Sequence, residues 1–492
     1  MGQIEAGQNT AEKAEQKVSE YLCSDLDGTL IKGDLFFEGL LKLIKKNPLL
    51  IIPLLISWAR GGRIAAKYFL VEQIEIDPEN LPVHNHYLDY LINQHKEGRK
   101  LVLVTASPEP WAQAIADKFG IFSRVIASTA GVNCKAEQKV QLLKATLGSG
   151  SFEYAGNDYP DVPVWKVAAE RVVVSANKKL IDAAKSIGEI KYLFDQDIKP
   201  KFSSLLKAMR PHQWAKNLLL FVPMFMAHSF LSVEIWVQVV IAFCSFSAAA
   251  TGVYLLNDLM DLDADRQHLT KKFRPIANGD VSILTALVAS ACSFLLGIAL
   301  ACLLPTAFLK TILLYLFVTT LYSFYLKQLP IVDILLLAFL YSLRVFAGGT
   351  ATGIPVSTWL IAFSVFFFVS LASLKRYIEL LNTEAKSDKP IAGRGYCASD
   401  MPIVLQAGMS TAAVAVLVLA LYINNPEVAK LYKSPTLLWI FCPMMLYWLL
   451  RIWMLANRKL VNEDPVLFAI KDRVTYFLAF VGLAVILVAG RF

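Results

Sequence analysis

The chain has 492 residues, a formal net charge of +8 and a hydrophobic fraction of 56%. Its mean hydropathy of +0.49 excludes an ordinary soluble globular protein. Seven scattered cysteines with no C-x-x-C pair exclude a zinc ribbon and a disulfide framework. The positive balance fits loop lysines and arginines facing anionic lipid, since no basic stretch with interleaved aromatics lies outside the apolar half, and nucleic acid is not expected as a partner.

Residues 1–17 form a polar N-terminal tail. The opening "MGQIEAGQNTAEKAEQ" has no apolar core and does not read as a secretory signal. Ala6 stands where an N-myristoylation motif needs Ser or Thr. Residues 18–195 carry ordinary charge and read as a soluble α/β domain. "YLCSDLDGTLIKGD" (Tyr21–Asp34) is expected to be a strand ending in a turn. Asp25 and Asp27 are two apart, so on an extended backbone they point the same way, and Gly28 permits a sharp exit. Two carboxylates converging at a strand end can hold magnesium, and one of them can attack phosphorus.

"NPLLIIPLLISW" (Asn47–Trp58) is short for a bilayer span and contains Pro48 and Pro53. It is expected to be a buried or membrane-apposed helix of the soluble domain. "KLVLVTASPEP" (Lys100–Pro110) is a second apolar strand, carrying Thr105 and Ser107 near its end. Lys135 and Lys139 open the helix-like "KAEQKVQLLKATL", and "FEYAGNDYPDVPVW" is a third strand ending in Asn157, Asp158 and Asp161.

This ordered set resembles the haloacid dehalogenase-like phosphatases. The resemblance implies a Rossmann-like fold over residues 18–195, with a small cap at about 35–82. It also implies Asp25 as nucleophile, Asp27 as general acid/base, Thr105 as the hydroxyl that holds the phosphoryl group, and Lys139, or alternatively Lys135, as the charge-balancing lysine. Magnesium would be held by Asp25, Asp27, Asp158 and Asp161. The family's last motif usually begins Gly-Asp, whereas this chain has Gly156-Asn157.

After a linker at 196–212, apolar runs of roughly 17–23 residues recur, each long enough to cross a bilayer as a helix. Nine all-α spans are expected, at about 217–231, 234–256, 282–304, 307–326, 330–350, 356–373, 402–423, 436–455 and 473–490, within a membrane domain covering 213–492. With the soluble domain placed in the cytoplasm, the loops on that side carry most of the basic residues, including Arg266, Lys271, Lys272, Lys386, Lys389, Arg394, Arg451 and Lys471. The opposite loops carry Lys430, Lys433 and Arg491, with Lys310 near a span end. The positive-inside rule therefore puts the N-terminal domain and both active sites on the cytoplasmic face of the inner or plasma membrane.

At the end of the second span stands "NDLMDLDADRQHLTKKFRPIANGD" (Asn257–Asp280). On one helix Asn257, Asp261 and Asp265 would stack at a spacing of four, with Asp258 in reach and Asp263 pointing elsewhere. Like charges so placed repel unless a cation bridges them, and magnesium with a diphosphate is the natural occupant. Lys271, Lys272 and Arg274 suit phosphate oxygens. Arg344 falls within a span and is expected to face a cavity or another polar group.

The N-D-x-x-D-x-x-x-D pattern, together with "YSFYLKQLPIVD" (Tyr322–Asp333), resembles the UbiA superfamily of intramembrane prenyltransferases. Most members carry a second aspartate-rich motif where this chain has "SLASLKRYIELLNTEAK", with Lys375 and Arg376. That substitution, with "MRPHQWAKNLLLFVP" (Met209–Pro223), resembles the decaprenyl-phosphate phosphoribosyltransferase branch. The resemblance implies transfer of phosphoribose from phosphoribosyl diphosphate to a polyprenyl phosphate. Asp258, Asp261 and Asp265 would act in transfer and, with Asn257, hold magnesium and the diphosphate. Lys216, Lys327, Lys375, Arg376, Arg274 and Tyr322 are the candidates for substrate phosphates, undivided between donor and acceptor. The fused phosphatase-like domain would act on the 5-phosphate of the product. The alternative is a prenyltransferase moving an isoprenoid from its diphosphate to an aromatic or small acceptor, with the N-terminal domain a degenerate docking module. The sequence sets no oligomeric state.

Overall fold

Strand β1 (Tyr21–Ser24) lies at the centre of a six-stranded sheet whose other members are β2 (Lys100–Pro108), β3 (Phe122–Ser128), β4 (Phe152–Gly156), β5 (Glu170–Val173) and β6 (Ile190–Leu193). The order is β3-β2-β1-β4-β5-β6 and every pair is parallel. The computed structural model describes residues 19–148, 150–196, 198–199, 201–382, 394–426, 432–461 and 464–490. The N-terminal tail (1–17), Lys386, Lys389, Lys430 and Arg491 lie outside the described residues.

The strands are apolar on both faces, as a parallel sheet covered by helices requires. Leu22, Leu101, Leu103, Ala155 and Val172 enter one core, while Cys23, Val102, Val104, Tyr154 and Val173 enter the other. The chain order reverses between β1 and β4, so the crevice at their carboxyl ends is where such a sheet places a ligand.

Between β1 and β2 two helices form the cap, α1 (Leu35–Lys46) and α2 (Ile51–Gln73). Asp34 caps α1 by accepting from the Phe36 amide. Helix α2 is broken at Gly61 and Gly62, whose backbones are not helical. After the break, Ala66 and Leu70 are fully buried in the soluble core. Before it, Ile52, Leu55 and Trp58 are 60%, 56% and 46% exposed. Pro48–Gln73 is long and apolar enough to cross a membrane. A segment whose second half is buried in a soluble core does not span, so its exposed apolar half fits the membrane-apposed reading.

Two compact units result, and they do not follow the chain. The first runs to Leu205 and also takes in Asp258–Ala286; the second comprises Leu206–Asn257 and the chain from Leu287 onward. A loop from within the expected membrane domain thus belongs to the soluble unit.

The membrane helices are Val233–Met260, Ile283–Ala301, Thr306–Phe324, Val332–Thr352, Thr358–Asn382, Met401–Ile423 and Phe441–Asn457, followed by the pair Pro465–Lys471 and Arg473–Ala489, bent by 76°. Among the described residues eight helices are long and apolar enough to span, Pro48–Gln73 included, and the bent pair makes a ninth. The expected first span at 217–231 is not one regular helix. It is a 3-10 segment, Pro211–Phe221, running into the five-residue helix Val222–Met226.

A 3-10 helix repeats every three residues, and one row of side chains, Trp214, Asn217, Leu220 and Pro223, keeps that period, while the buried Lys216 lies off it. Trp214 donates to Thr251 Oγ1 at 3.0 Å, Asn217 donates to Ser247 Oγ at 3.0 Å, and Leu220 and Pro223 are buried.

Candidate active sites

In the first unit, the carboxyl ends of β1, β2 and β4 bring four sequence motifs together. Asp25 follows β1 and is 8% exposed. Lys139 Nζ lies 2.9 Å from Asp25 Oδ1, 2.7 Å from the Tyr154 hydroxyl and 3.4 Å from Asp161 Oδ1. Lys139 is buried and Lys135 exposed, so Lys139 is the lysine at Asp25. Asp27 turns the other way. Its Oδ1 accepts from the Leu35 amide at 2.9 Å, and its Oδ2 accepts from Ser107 Oγ at 2.6 Å and Thr105 Oγ1 at 3.4 Å. The β2–β3 register slips between Val104 and Pro108, an irregularity of the kind that re-aims side chains beside a site.

Burial pushes the Asp25 carboxyl up to about 7, with Asp161 and Asp27 adding to the shift and Lys139 opposing it. Burial likewise raises Asp27 to about 6, with Asp34 adding to it. For Lys139 burial works downward, but the carboxylates of Asp25 and Asp161 outweigh it and hold the ammonium charged. Both carboxyls are thus raised by the same cause, burial, while Lys139 stays cationic beside Asp25.

The last motif behaves differently from the expectation. Asp158 is exposed and caps the turn Tyr159–Asp161 by accepting from the Tyr159 amide at 2.8 Å. Asp161 is 2% exposed and accepts from the amides of Asn157 and Asp158 at 3.0 and 3.2 Å, from the Tyr154 hydroxyl at 2.7 Å, and from Lys139. Both acids expected as metal ligands are thus engaged in shaping the turn. Asn157 instead lies against the β1 turn. Its Oδ1 accepts from Thr29 Oγ1 at 3.0 Å, and its Nδ2 would lie 2.2 Å from a Cβ at Gly28. Gly28, at φ +76°, is required for both the turn and this approach. Of the four acids expected to hold magnesium, Asp25 and Asp27 remain at the strand end, and no group of three acids or metal-binding side chains forms among the described residues.

Lys67 was not evident in the sequence. It comes from α2 after its break, is 7% exposed, and donates to the carbonyl of Ala106 between Thr105 and Ser107. Burial lowers its pKa, with Asp27 pulling the other way. The signal that could have found it is a lysine on the apolar face of an amphipathic stretch.

The aspartate-rich loop also departs from the expected stack. Helix Val233–Met260 ends before Asp261, which caps a new short helix, Leu262–Gln267. The period of four is therefore broken at Asp261, because the helix restarts there with φ −88° and ψ 8°. Asp258 and Asp265 nevertheless converge and are 4% and 2% exposed. Arg274 Nη1 bridges them at 3.2 and 2.5 Å. Two buried carboxylates meeting at one cation have the oxygen chemistry that magnesium needs, although no group of three acids or metal-binding side chains forms among the described residues. Asp261 is half-buried and outside this pair.

In the second unit the basic candidates sort into two clusters. Lys216 and Lys375 meet Asp464 Oδ2 at 2.8 and 3.2 Å, and the Tyr341 hydroxyl reaches Asp464 at 3.3 Å. Two ammonium groups on one carboxylate leave a net positive site. Asp464 was missed; the signal was Asp before Pro465, a helix N-cap pattern, and it accepts from the Val466 amide at 3.1 Å.

Arg376 and Tyr322, expected at substrate phosphates, are instead committed to the protein. Arg376 is 1% exposed and pairs with Asp333, Glu379 and the Tyr322 hydroxyl. Tyr322 in turn donates to Asp333 at 2.8 Å, and Arg394 reaches Tyr322 at 3.0 Å and Asp333 at 3.5 Å. A buried guanidinium requires a partner, and the partner is a fully buried Asp333 far away in sequence. Asn257 donates to Ser323 Oγ at 3.0 Å. Lys327 is half-buried in the short turn Leu326–Gln328. Arg344 meets polar groups as expected: Asn217 Oδ1 at 3.0 Å, the Tyr315 hydroxyl at 3.2 Å, and the Tyr315 ring.

Residues 218–489 match the UbiA prenyltransferase family, and residues 22–164 match the haloacid dehalogenase-like hydrolases. The chain is 33% identical over 459 residues to the uncharacterized protein y4nM of Sinorhizobium fredii, covering 93% of this chain and 88% of that one. It is 37% identical over 182 residues to the decaprenyl-phosphate phosphoribosyltransferase of Mycobacterium tuberculosis, covering 36% of this chain and 60% of that one. A solved UbiA homolog from Archaeoglobus fulgidus, bound to DMAPP and Mg2+, aligns with a TM-score of 0.45 at 19% identity over 58% of this chain and 99% of that one. With its apolar helices, the family match makes this an integral membrane protein.

Proposed function

The chain belongs to the UbiA prenyltransferase family, and on that premise we propose that it transfers phosphoribose from phosphoribosyl diphosphate to a polyprenyl phosphate, on the cytoplasmic face of the membrane. The observation that carries this reading is the pairing of Lys216 and Lys375 on Asp464. A net positive site there suits a phosphate monoester, which both the lipid acceptor and the 5-phosphate of the donor present. The likeness to decaprenyl-phosphate phosphoribosyltransferases supports the same donor and acceptor classes.

Asp258 and Asp265 would hold magnesium with the donor diphosphate, and Arg274, now between them, would turn to phosphate oxygens. Magnesium supplies charge neutralisation to the departing diphosphate. Cleavage of the anomeric C–O bond sends its electron pair to diphosphate, and an oxygen of the lipid phosphate forms the new bond. That oxygen is already anionic, so orientation by the lysines matters more than a general base.

In the soluble unit, Asp25 would attack the 5-phosphate of the lipid product while Asp27 gives its proton to the leaving alkoxide. Water, deprotonated by Asp27, then hydrolyses the aspartyl phosphate and restores both carboxyl groups. Lys139 holds Asp25 and balances the phosphoryl charge.

The test is incubation of the detergent-solubilised chain with magnesium, labelled phosphoribosyl diphosphate and polyprenyl phosphate. A labelled lipid is expected, and Asp265→Asn should lower its formation by roughly 100-fold or more. No labelled lipid, together with transfer from a prenyl diphosphate to an aromatic acid, would make the chain an ordinary prenyltransferase.

A further inference from the structure

The aspartate-rich loop and the phosphatase-like site lie within one compact unit. Arg266 follows Asp265 directly in the aspartate-rich loop. Its two terminal nitrogens reach both carboxylate oxygens of Glu38, at 3.1 and 2.6 Å. Glu38 lies on cap helix α1 and is 2% exposed; both side chains are nearly sealed, at 7% for Arg266 and 3% for Glu38. The Arg266 Nε also donates to the carbonyl of Ala277 at 3.3 Å, which ties the start of the loop to its end.

Four further contacts fix the same loop within the soluble unit. Lys45 of α1 meets Asp263 at 3.2 Å. Asp280 meets Lys199 at 2.6 Å and Lys32 at 3.8 Å. Gly279 approaches so closely that a Cβ there would lie 2.7 Å from Lys32 Cβ. A surface loop that merely lay nearby would not bury a bidentate ion pair, because desolvating both charges is tolerated only when the geometry is held.

The bonds run on in both directions. The first residue of α1, Leu35, donates its amide to Asp27, the acid/base of the phosphatase-like site. Beyond Arg266, its neighbour Asp265 shares Arg274 with Asp258. A short rigid helix therefore stands between Asp27 and the carboxylates expected to bind the donor diphosphate.

We propose that Glu38 is a positioning residue for the transferase: by gripping Arg266, the phosphatase-like cap holds the aspartate-rich loop in the shape that binds magnesium and diphosphate. The proposal rests on the reading of that loop as a diphosphate site, but not on which diphosphate it takes. The soluble domain is then a structural part of the transferase, and a shift of the cap is felt at Asp265.

The experiment uses the full chain in detergent and has two readouts. Hydrogen exchange over residues 262–280 is compared between the parent, Glu38→Gln and the shortened carboxylate Glu38→Asp. Exchange of those amides is expected to quicken at least tenfold in Glu38→Gln and less in Glu38→Asp, while the helix Thr358–Asn382 keeps its protection. In kinetics, Glu38→Gln should raise the KM for phosphoribosyl diphosphate about tenfold, leave the acceptor KM unchanged and change kcat little. Glu20→Gln, at an exposed pair with Lys100, is the control and should match the parent in both. Unchanged exchange in a folded Glu38→Gln chain overturns the proposal. Quickened exchange without any phosphoribosyl transfer in the parent supports it and counts against the assigned donor instead. Should Glu38→Gln fail to fold, Glu38→Asp carries the test: parental exchange over 262–280 overturns the proposal, and local loosening there supports it.

Discussion

Asp27 illustrates how one side chain is set by its surroundings. Its turn, D-x-D-G, is readable in the sequence, but its raised pKa is not, because that comes from burial and from Asp34. A folded value of about 6 lies above the usual unfolded value. Between about pH 4 and 6 Asp27 therefore binds more protons in the native metal-free chain than in the unfolded chain, and its contribution to stability falls as pH rises through that window. Thermal unfolding in a chelator, compared between the parent and Asp27→Asn, should show a steeper loss across this window in the parent. Lys139 and Lys135 show the same limit: the sequence offers both, and only burial places Lys139 at Asp25. The exposed Asp158 and the bond-saturated Asp161 likewise look equivalent as letters and are not equivalent in space.

Elements were legible where periodicity was regular. Three of the six parallel strands, β1, β2 and β4, were readable as apolar runs ending in polar motifs, and the long membrane helices as runs of sufficient length; β3, β5 and β6, which carry no such motif, were not. The 3-10 segment Pro211–Phe221 was not, because its three-residue period resembles a helical face over so few residues. The break at Asp261 was hidden for a related reason: four-residue spacing continues in the sequence although the helix does not. Helices Val332–Thr352 and Thr358–Asn382 are joined by the buried Arg376–Asp333 pair. Arg376→Leu leaves Asp333 buried without its main partner, which should cost about 3–5 kcal/mol. Thermal unfolding of the solubilised chain should show a clear loss, whereas Lys100→Ala, at an exposed pair, should change stability by less than about 1 kcal/mol.

For the whole molecule, the proposed function amounts to two reactions on one lipid. Asp25→Asn should slow release of inorganic phosphate by roughly 1,000-fold or more. The phosphorylated lipid should accumulate as the same labelled product, resolved by chromatography before and after treatment with a general phosphatase. If the variant and the parent leave the same lipid, the two reactions are not consecutive. The lodging of Asp258–Ala286 in the soluble unit gives the proposed positioning role of Glu38 its structural setting: both partners of the Glu38–Arg266 pair lie in that unit.

The sequence by itself determined the broad plan: a phosphatase-like α/β domain, a polytopic helical membrane domain, and an aspartate-rich loop suited to a magnesium diphosphate. These depend on local pattern, on residue type at short spacing and on the length of apolar runs, all of which are written along the chain. Only the tertiary structure decided which charges remain available. Arg376 looked like a phosphate ligand until Asp333 closed on it, Asp464 stood unnoticed until two lysines met there, and Glu38 gained a partner only when Arg266 arrived from more than 200 residues away. Pairing of buried charges is a long-range property, because burial fixes both the need for a partner and the partner itself.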